Sequence, residues 1–305
     1  MSINQIIQES IDRQFSAHCR KNLFCADSAN HILPDTRSEI EDNRDELLNL
    51  DEQNQSYQWI DRMTEQALKT FCQSNQFIDL RETHIVALHS VYEQLWSDLI
   101  VELRKNTVDF ESLEQAHLYR LTEWLQNSNP FVKTLNTPDL PEIVEVVCAE
   151  YSARLQIDLL KIDLNTLSSP VLDIGCGEQA NLVKYLRKLG VDAVGTDRLA
   201  DASLPFLVRT NWLEFDYKPQ CWGAVIANHS FSLHFLNHHQ RSDGDYLAYA
   251  RKYMEILNSL KPGGVFFYAP ALPFIESYLP KDLFQVRNHP INDSFGGTQV
   301  IRKET

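Results

Sequence analysis

The chain has 305 residues, of which 43% are hydrophobic, and a formal net charge of −14 at neutral pH. This length is sufficient for two domains with cores of their own, and no apolar run reaches the 18 residues that a membrane-spanning helix needs. An acidic chain without a basic stripe argues against nucleic acid as the main partner, because phosphate contacts require lysine and arginine.

Residues 1–138 are predicted to form an all-α N-terminal domain. A short helix is expected around Ile6 to Phe15, and the acid- and amide-rich residues 37–55 predict either an exposed helix or a mobile connection. Apolar residues recur at helical spacing over residues 59–71, 83–104 and 110–125. Residues 1–140 hold 12 Lys and Arg against 23 Asp and Glu, so most of the negative charge lies in this part of the chain.

Prolines mark a linker before the second domain, which is predicted over residues 139–305. Pro141 suits the first position of a helix, and Glu142 and Glu145 suit its first turn. This pattern predicts a helix over residues 141–161 that leads into the first strand.

The most informative stretch of the sequence runs from residue 171 to residue 197. Val171 to Ile174 are typical of a buried strand, Gly175 and Gly177 allow a sharp turn, and a helix and a second strand follow. A helix N-terminus after a glycine turn attracts an anionic group, and Asp197 at the tip of the next strand can accept both hydroxyls of a ribose. The unit therefore predicts a site for a nucleoside with an anionic arm, which fits a dinucleotide or S-adenosylmethionine.

The rest of the second domain continues the α/β pattern. A long helix is predicted over residues 246–260, and the last two strands are predicted to form an antiparallel pair. The predicted strands after Asp197 cover residues 206–208, 223–227, 265–269, 283–287 and 298–302. The terminal hairpin argues against a nicotinamide enzyme, which would have a second parallel half.

Three features resemble the class I S-adenosylmethionine-dependent methyltransferases: Asp173-x-Gly175-x-Gly177 after Val-Leu, the acid Asp197, and residues 260–264 (Leu-Lys-Pro-Gly-Gly) before an apolar run. The resemblance covers residues 140–305. It implies a Rossmann-like α/β domain with a mainly parallel seven-stranded sheet whose last strand is antiparallel. It also implies S-adenosyl-L-methionine as cofactor and S-adenosyl-L-homocysteine as product. Gln179 departs from the family, which often has a third glycine there, and its side chain would narrow the methionine pocket.

The resemblance also implies which residues bind the cofactor. Asn211 and Trp212 follow the third strand, where the family holds adenine, although core packing explains Trp212 equally well. Arg154 on the preceding helix would pair with the methionine carboxylate, and a packing Tyr151 with a surface Arg154 is the alternative. The full predicted set is Asp173, Gly175, Cys176, Gly177, Asp197, Arg198, Asn211, Trp212, Asn228, Tyr151 and Arg154.

Four histidines lie just after the fourth strand, at the sheet edge where ligands of such folds bind. We expect His229, and second His234, to act as a base toward the methyl acceptor. A merely polar helix end is the alternative. His234 and His238 have the spacing of a metal pair, but no acid lies between them, so no metal is predicted. The predicted substrate-binding residues are His238, His239, Tyr268 and Phe274.

The expected reaction is a direct, in-line methyl transfer to an oxygen, nitrogen or carbon atom of a small molecule of biosynthetic or specialised metabolism. A protein or peptide methyltransferase and a non-catalytic S-adenosylmethionine-binding regulator are the alternatives. The helical domain is expected to cover the acceptor pocket or to dock a partner. A homodimer remains open, and the sequence does not identify the acceptor.

The compartment is expected to be the cytoplasm. The sequence begins without a signal-peptide core, and its six cysteines form no C-x-x-C pair. A reduced protein is therefore the simplest interpretation.

Overall fold

The computed structural model describes residues 2–25, 31–147, 149–292 and 295–304. The chain divides into two compact units, Met1–Cys148 and Ala149–Thr305, which we call the helical unit and the sheet unit. The division falls ten residues after the predicted boundary at residue 138. None of the helices in the described residues is long and apolar enough to cross a membrane.

The helical unit is built from amphipathic helices. On the longest, the buried residues Leu88, Tyr92, Trp96, Ile100 and Leu103 recur every three or four positions, which places them on one face. The helices of this unit are α1 (Ile3–His18), α2 (Pro34–Asp42), α3 (Arg44–Glu52), α4 (Tyr57–Ser74), α5 (Glu82–Leu103), α6 (Phe110–Ser128) and α7 (Phe131–Leu135).

The acidic segment 37–55 forms α2 and α3 rather than a mobile connection. Leu47 and Leu50 bury the inner face of α3, while the charged side chains of both helices lie outward or at the boundary. Most of the charge of the segment therefore lies on exposed positions of two short packed helices, while Arg37 and Glu39 are half-buried.

The predicted helix over residues 141–161 is wrong in its first half. Residues 141–147 are extended: the Ile143 N–H donates to the Arg20 carbonyl over 3.0 Å, and the Val146 N–H donates to the Ser74 carbonyl over 2.9 Å. The run Ile143-Val144-Glu145-Val146-Val147 is rich in β-branched residues, which favour extended backbone over helix. Helix α8 (Ala153–Leu160) begins only after Ser152, whose side chain accepts the Leu155 N–H.

The sheet unit confirms the predicted fold. Its seven strands lie in the order β3-β2-β1-β4-β5-β7-β6, and β7 is antiparallel to both of its neighbours while the remaining neighbours pair in parallel. The strands are β1 (Val171–Ile174), β2 (Ala193–Asp197), β3 (Leu207–Arg209), β4 (Trp222–Asn228), β5 (Leu260–Ala269), β6 (Phe284–Pro290) and β7 (Gly296–Arg302).

Helices cover both faces of this sheet, so each face has its own core. Leu160 of α8 and Leu182 and Leu186 of the following helix pack on one face, and Phe231, Phe235 and neighbouring aromatic residues pack on the other. Besides α8, the helices are α9 (Asn181–Lys188), α10 (Phe231–Gln240), α11 (Tyr246–Ser259) and α12 (Pro273–Glu276). Strand order reverses between β1 and β4, so their carboxyl ends border the crevice where such sheets bind ligands.

Candidate functional site

The glycine turn after β1 is held against the end of β2. The N–H groups of Gly175 and Cys176 both donate to the Thr196 carbonyl, over 2.8 and 3.2 Å. Gly175 has φ +74°, and a Cβ atom there would lie 2.4 Å from the Cβ of Ser230, which follows β4. The turn therefore requires glycine for both its backbone conformation and its close approach to β4.

Asp197 lies at the tip of β2 and points back to this turn. Its Oδ2 accepts the Gly177 N–H over 3.2 Å, and its Oδ1 accepts the Leu199 N–H over 2.8 Å. A carboxylate at this point is within reach of any group that approaches the glycine turn.

Asp173 and Asn228 are buried at the ends of adjacent strands. Strand pairing aligns Asp173 with Ile226, so Asn228, two residues further along β4, projects from the same face of the sheet. Among the described residues, neither Asp173 Oδ2 nor Asn228 Nδ2 has a hydrogen-bond partner. Burial, and second the charge of Asp197, raise the pKa of Asp173 to about 7. Unpaired polar atoms of this kind are typical of a binding site, because burying them has a cost in stability.

Glu150 is a part of the site that the sequence analysis missed. Its Oε1 accepts the Gln179 N–H over 3.1 Å and lies 3.0 Å from where a Gly177 Cβ would be. The carboxylate therefore rests on the glycine turn before α9, where an anionic ligand group is expected. No local sequence pattern indicates this contact, because it depends on how residues 149–152 pack against the glycine turn and the start of α9.

Of Tyr151 and Arg154, the two cofactor-binding residues predicted after Glu150, only Tyr151 lies at the site. The Tyr151 carbonyl accepts Asn181 Nδ2 over 3.3 Å, and the Tyr151 ring centre lies 5.6 Å from that of His229. Arg154 is different: its side chain is 92% exposed and lies 4.0 Å from Asp158 on the same helix. This geometry is that of the surface arginine that the sequence left as the alternative.

Trp212 lies between the glycine turn and His234. A Cβ on Gly175 would be 3.3 Å from Trp212 Cζ3, and the indole meets the His234 ring edge-on at 4.6 Å. Within the described part of the chain, the buried indole Nε1 has no hydrogen-bond partner. Trp212 thus packs against the core and borders the crevice at the same time. Before it, Asn211 uses its Oδ1 to accept the Leu213 N–H over 2.9 Å.

Cys176 and Arg198 complete the predicted cofactor set. Burial, and second the charge of Asp173, raise the pKa of the Cys176 thiol, which keeps it protonated near neutral pH. Arg198 follows Asp197, and its charge is the second cause, after burial, of the low pKa of His234. Cys176 is therefore a neutral side chain of the turn, and Arg198 carries a positive charge into the surroundings of His234.

Of the four histidines, His229 lies nearest the tip of β4. It follows β4 with φ +51°, and its ring is half-buried between Tyr151 and Phe295. Nδ1 lies 3.0 Å from Asn228 Oδ1; because that oxygen only accepts, Nδ1 carries the proton and Nε2 keeps its lone pair. Burial lowers the pKa of His229, so the ring is neutral at pH 7.

His234 and His238 lie on the buried face of α10 rather than facing an open pocket. The pKa of His234 is held well below its usual value, first by burial. His238 stacks on Tyr249 at 4.6 Å, and its Nδ1 accepts the Asp245 N–H over 3.0 Å, which ties down the loop after α10. These contacts hold His238 within the core, which argues against the predicted contact with a substrate.

Tyr268 also lies in the core. Its hydroxyl donates to Glu276 Oε1 over 2.8 Å and lies 2.9 Å from the Tyr253 hydroxyl, with the side chain fully buried. A direct contact with an acceptor is incompatible with this burial. Phe274 and the exposed His239 instead stack on each other at 3.8 Å near the start of α12.

Within the described residues, no group of three or more His, Cys, Asp and Glu side chains is arranged to hold a metal ion. The absence of a metal stays a prediction.

Comparisons with known proteins find similarity at the level of structure only, over about half of the chain. No protein-family model and no curated protein sequence matches this chain. Solved structures do match it. A 1,6-didemethyltoxoflavin N1-methyltransferase of Burkholderia thailandensis, with bound S-adenosylhomocysteine, is 17% identical over 51% of this chain and 80% of its own, with a TM-score of 0.35. The N-methyltransferase NodS of Bradyrhizobium japonicum is 13% identical over 50% of this chain and 87% of its own, with a TM-score of 0.36.

A third neighbour is the [4+2]-cyclase SpnF, 17% identical over 38% of this chain and 44% of its own, with a TM-score of 0.29. At such identities and scores these likenesses concern the fold of about half the chain and carry no argument about activity. The fold assignment therefore depends on the strand order and on the antiparallel β7, which agree with the predicted class I methyltransferase sheet.

Proposed function

We propose that the sheet unit binds S-adenosyl-L-methionine and transfers its methyl group to a small molecule. The observation that carries the proposal is the arrangement at one sheet edge: a glycine turn, Asp197 against it, and buried polar atoms of Asp173 and Asn228 that lack a partner among the described residues. A carboxyl group, an amide and a helix N-terminus match the ammonium, hydroxyl and carboxylate groups of this cofactor.

Each part of the cofactor has residues on this chain to hold it. Asp197 would accept the ribose hydroxyls, and Trp212 would border the adenine. Asp173, once ionised, would face the methionine ammonium group, since its Oδ2 has no partner in the part of the chain that the structure describes. The methionine carboxylate would take the place of the Glu150 carboxylate near the Gln179 N–H. Arg154 has no part in this proposal.

The bound cofactor supplies a methyl group already activated on a sulfonium. The protein then has to align the acceptor and exclude water, which requires few catalytic groups. His229 Nε2 would take the proton of an acceptor oxygen or nitrogen, because its lone pair is free of the Asn228 contact at Nδ1. For any acceptor found, His229→Asn should remove the acid-side limb of the pH profile of kcat; an unchanged profile would exclude this role.

Titration calorimetry of the full chain with S-adenosylmethionine, S-adenosylhomocysteine and NAD tests the cofactor. We expect micromolar binding of the first two ligands only. Asp197→Ala should weaken binding about 10- to 100-fold, since hydrogen bonds to a charged group contribute about 1.5–3 kcal/mol. Asp192→Ala is the matched control, because Asp192 precedes β2 and is exposed at 66%. Equal losses of affinity in both variants, or binding of NAD alone, would contradict the proposal.

A small-molecule acceptor is the preferred substrate class. A protein acceptor docked on the acidic helical unit would show binding that weakens steeply with salt. A screen of metabolite and peptide acceptors at two salt concentrations, with S-adenosylhomocysteine formation as the readout, separates these two classes.

A further inference from the structure

The helical unit contains a cavity of about 250 Å³. Its walls come from α1, α2, α3, α4, α5 and α6, and they are mostly aliphatic, with Ile7, Leu99 and Leu118 among them. A dry apolar cavity of ~150 Å³ already binds benzene. The space is therefore large enough for an organic molecule and exceeds an ordinary packing defect.

Two residues that line the cavity each have a buried polar atom without a partner in the described part of the chain. The buried Nδ1 of His117 and the buried Oγ1 of Thr36 have no hydrogen-bond partner among the residues that the structure describes. Burial, and second the charge of Arg120, lower the pKa of His117 to about 4, so the imidazole is neutral at pH 7. Both groups can exchange a hydrogen bond with a neutral ligand group, and buried polar atoms of this kind require such a partner.

The charges around the cavity disfavour an anion. Glu39 and Glu114 line it, and their carboxylates are paired with Arg13 and Arg37 respectively. None of the described lining residues is lysine or arginine. A ligand carboxylate or phosphate would meet these two acids, and the arginines nearby are already paired with them. A cationic ligand would lose its hydration inside aliphatic walls.

We propose that this cavity is a second binding site, and that it takes a neutral, mainly apolar small molecule with one hydroxyl or amide group. The apolar part lies against the aliphatic walls, and the polar group meets His117 and Thr36. The site belongs to the helical unit alone and does not depend on the proposed methyl transfer.

Calorimetry and thermal unfolding of the full chain with 1-octanol and octanoate as probes test this proposal. We expect saturable binding of 1-octanol and a rise in Tm of the helical unit, and at least tenfold weaker binding of octanoate at pH 8. Leu99→Phe fills the cavity and should weaken octanol binding at least tenfold. Val101→Phe is the matched control on the same helix, because Val101 is 51% exposed and does not line the cavity.

His117→Phe tests the polar contact. The substitution keeps a ring of similar size. It should weaken the binding of 1-octanol several-fold and leave the binding of ethylbenzene, which has no polar group, unchanged. If Leu99→Phe does not fold, Leu118→Phe fills the same space from α6. No octanol binding by the wild type would overturn the proposal and leave a cavity that holds water only. Equal binding by the filling and control variants, or preference for octanoate, would overturn it as well.

Discussion

At the scale of residues, three carboxyl groups lie close to the glycine turn. Asp197 and Glu150 each accept one of its N–H groups, and Asp173 lies beneath it with a raised pKa. Three acids so close together repel one another unless a cation or a proton compensates them. We therefore expect this edge of the sheet to favour a ligand that carries a positively charged group, such as the ammonium group of the proposed cofactor.

Glu150 competes with the ligand carboxylate for the N-terminus of α9. We predict that Glu150→Gln tightens binding of S-adenosylhomocysteine about two- to fivefold, because a charge at a helix N-terminus contributes about 0.3–1 kcal/mol. Calorimetry of the variant measures this change. Glu255→Gln, which removes one charge from the outer part of α11, should leave the affinity unchanged. Weaker binding in Glu150→Gln would mean that Glu150 contacts the ligand instead.

Asp173 should make stability depend on pH. Its pKa is about 7 in the folded protein against an ordinary value of 3.8, so between these values the folded state keeps a proton that the unfolded chain has released. Stability from this group is complete below pH 4 and is lost as the pH rises through 7. We predict that the free energy of unfolding of Asp173→Asn, relative to wild type, increases by about 1 kcal/mol between pH 6 and pH 8.

Urea unfolding of the sheet unit in the full chain at the two pH values measures this difference. Asp192→Asn, at an exposed acid, should show no such change between pH 6 and pH 8. The same Asp173→Asn variant should bind S-adenosylhomocysteine more weakly, because an amide cannot compensate the ammonium charge. Tighter ligand binding by the variant would contradict the role proposed for Asp173.

At the scale of elements, the turn from β1 to α9 depends on two separate properties of glycine. Gly175 and Gly190 both have positive φ, at +74° and +81°, but only Gly175 has neighbours where a Cβ would be. Around Gly190 the described residues leave 4 Å of open space. Comparison of the two positions separates backbone strain from close packing.

We predict that Gly190→Ala lowers the free energy of unfolding by about 1–2 kcal/mol, which is the strain of a left-handed alanine. Gly175→Ala should lower it by roughly a further 1–3 kcal/mol, since its Cβ meets Ser230 at 2.4 Å and the turn must shift. Only Gly175→Ala should also abolish S-adenosylhomocysteine binding. Denaturant unfolding and calorimetry check the pair, and equal losses of stability would show that packing against Ser230 is unimportant.

Elements with strong local signals were predicted well. The apolar strands β1 and β4 and the amphipathic helices α5 and α6 were predicted within three residues at each end, because their patterns directly reflect burial on one or both faces. The segment 141–147 was not, because its proline and acids suit a helix start, while Ile143 and Val146 donate hydrogen bonds to Arg20, after α1, and to Ser74, at the end of α4. The choice between helix and extended backbone in this segment is decided by hydrogen-bond partners that are distant in the sequence.

At the scale of the whole molecule, each unit has its own interior. The sheet unit has cores on both faces of its sheet, and the helical unit buries the inner faces of its helices. The role of the helical unit as a cover for the acceptor pocket stays a prediction, as do the cytoplasmic location and a homodimer. The acidic outer faces and the internal cavity of the helical unit are the properties from which its role can be inferred.

We predict that residues 149–305, expressed alone, fold and bind S-adenosylhomocysteine with the affinity of the full chain, because every residue proposed to hold the cofactor lies in this unit. Circular dichroism on heating and calorimetry measure both properties, with Asp197→Ala in the shorter chain as the control. A shorter chain that folds but does not bind would show that the helical unit completes the site.

The sequence by itself determined the α/β class of the second half, the glycine turn and the acid at the tip of β2. These features depend on periodicity, on glycine and on short spacing along the chain. Only the tertiary structure decided which side chains reach the site. It brought Glu150 and Tyr151 to the turn, turned Arg154 outward, and buried His234, His238 and Tyr268 in the core. The direction of a side chain depends on packing between elements that are far apart in the sequence, and no local pattern contains that information.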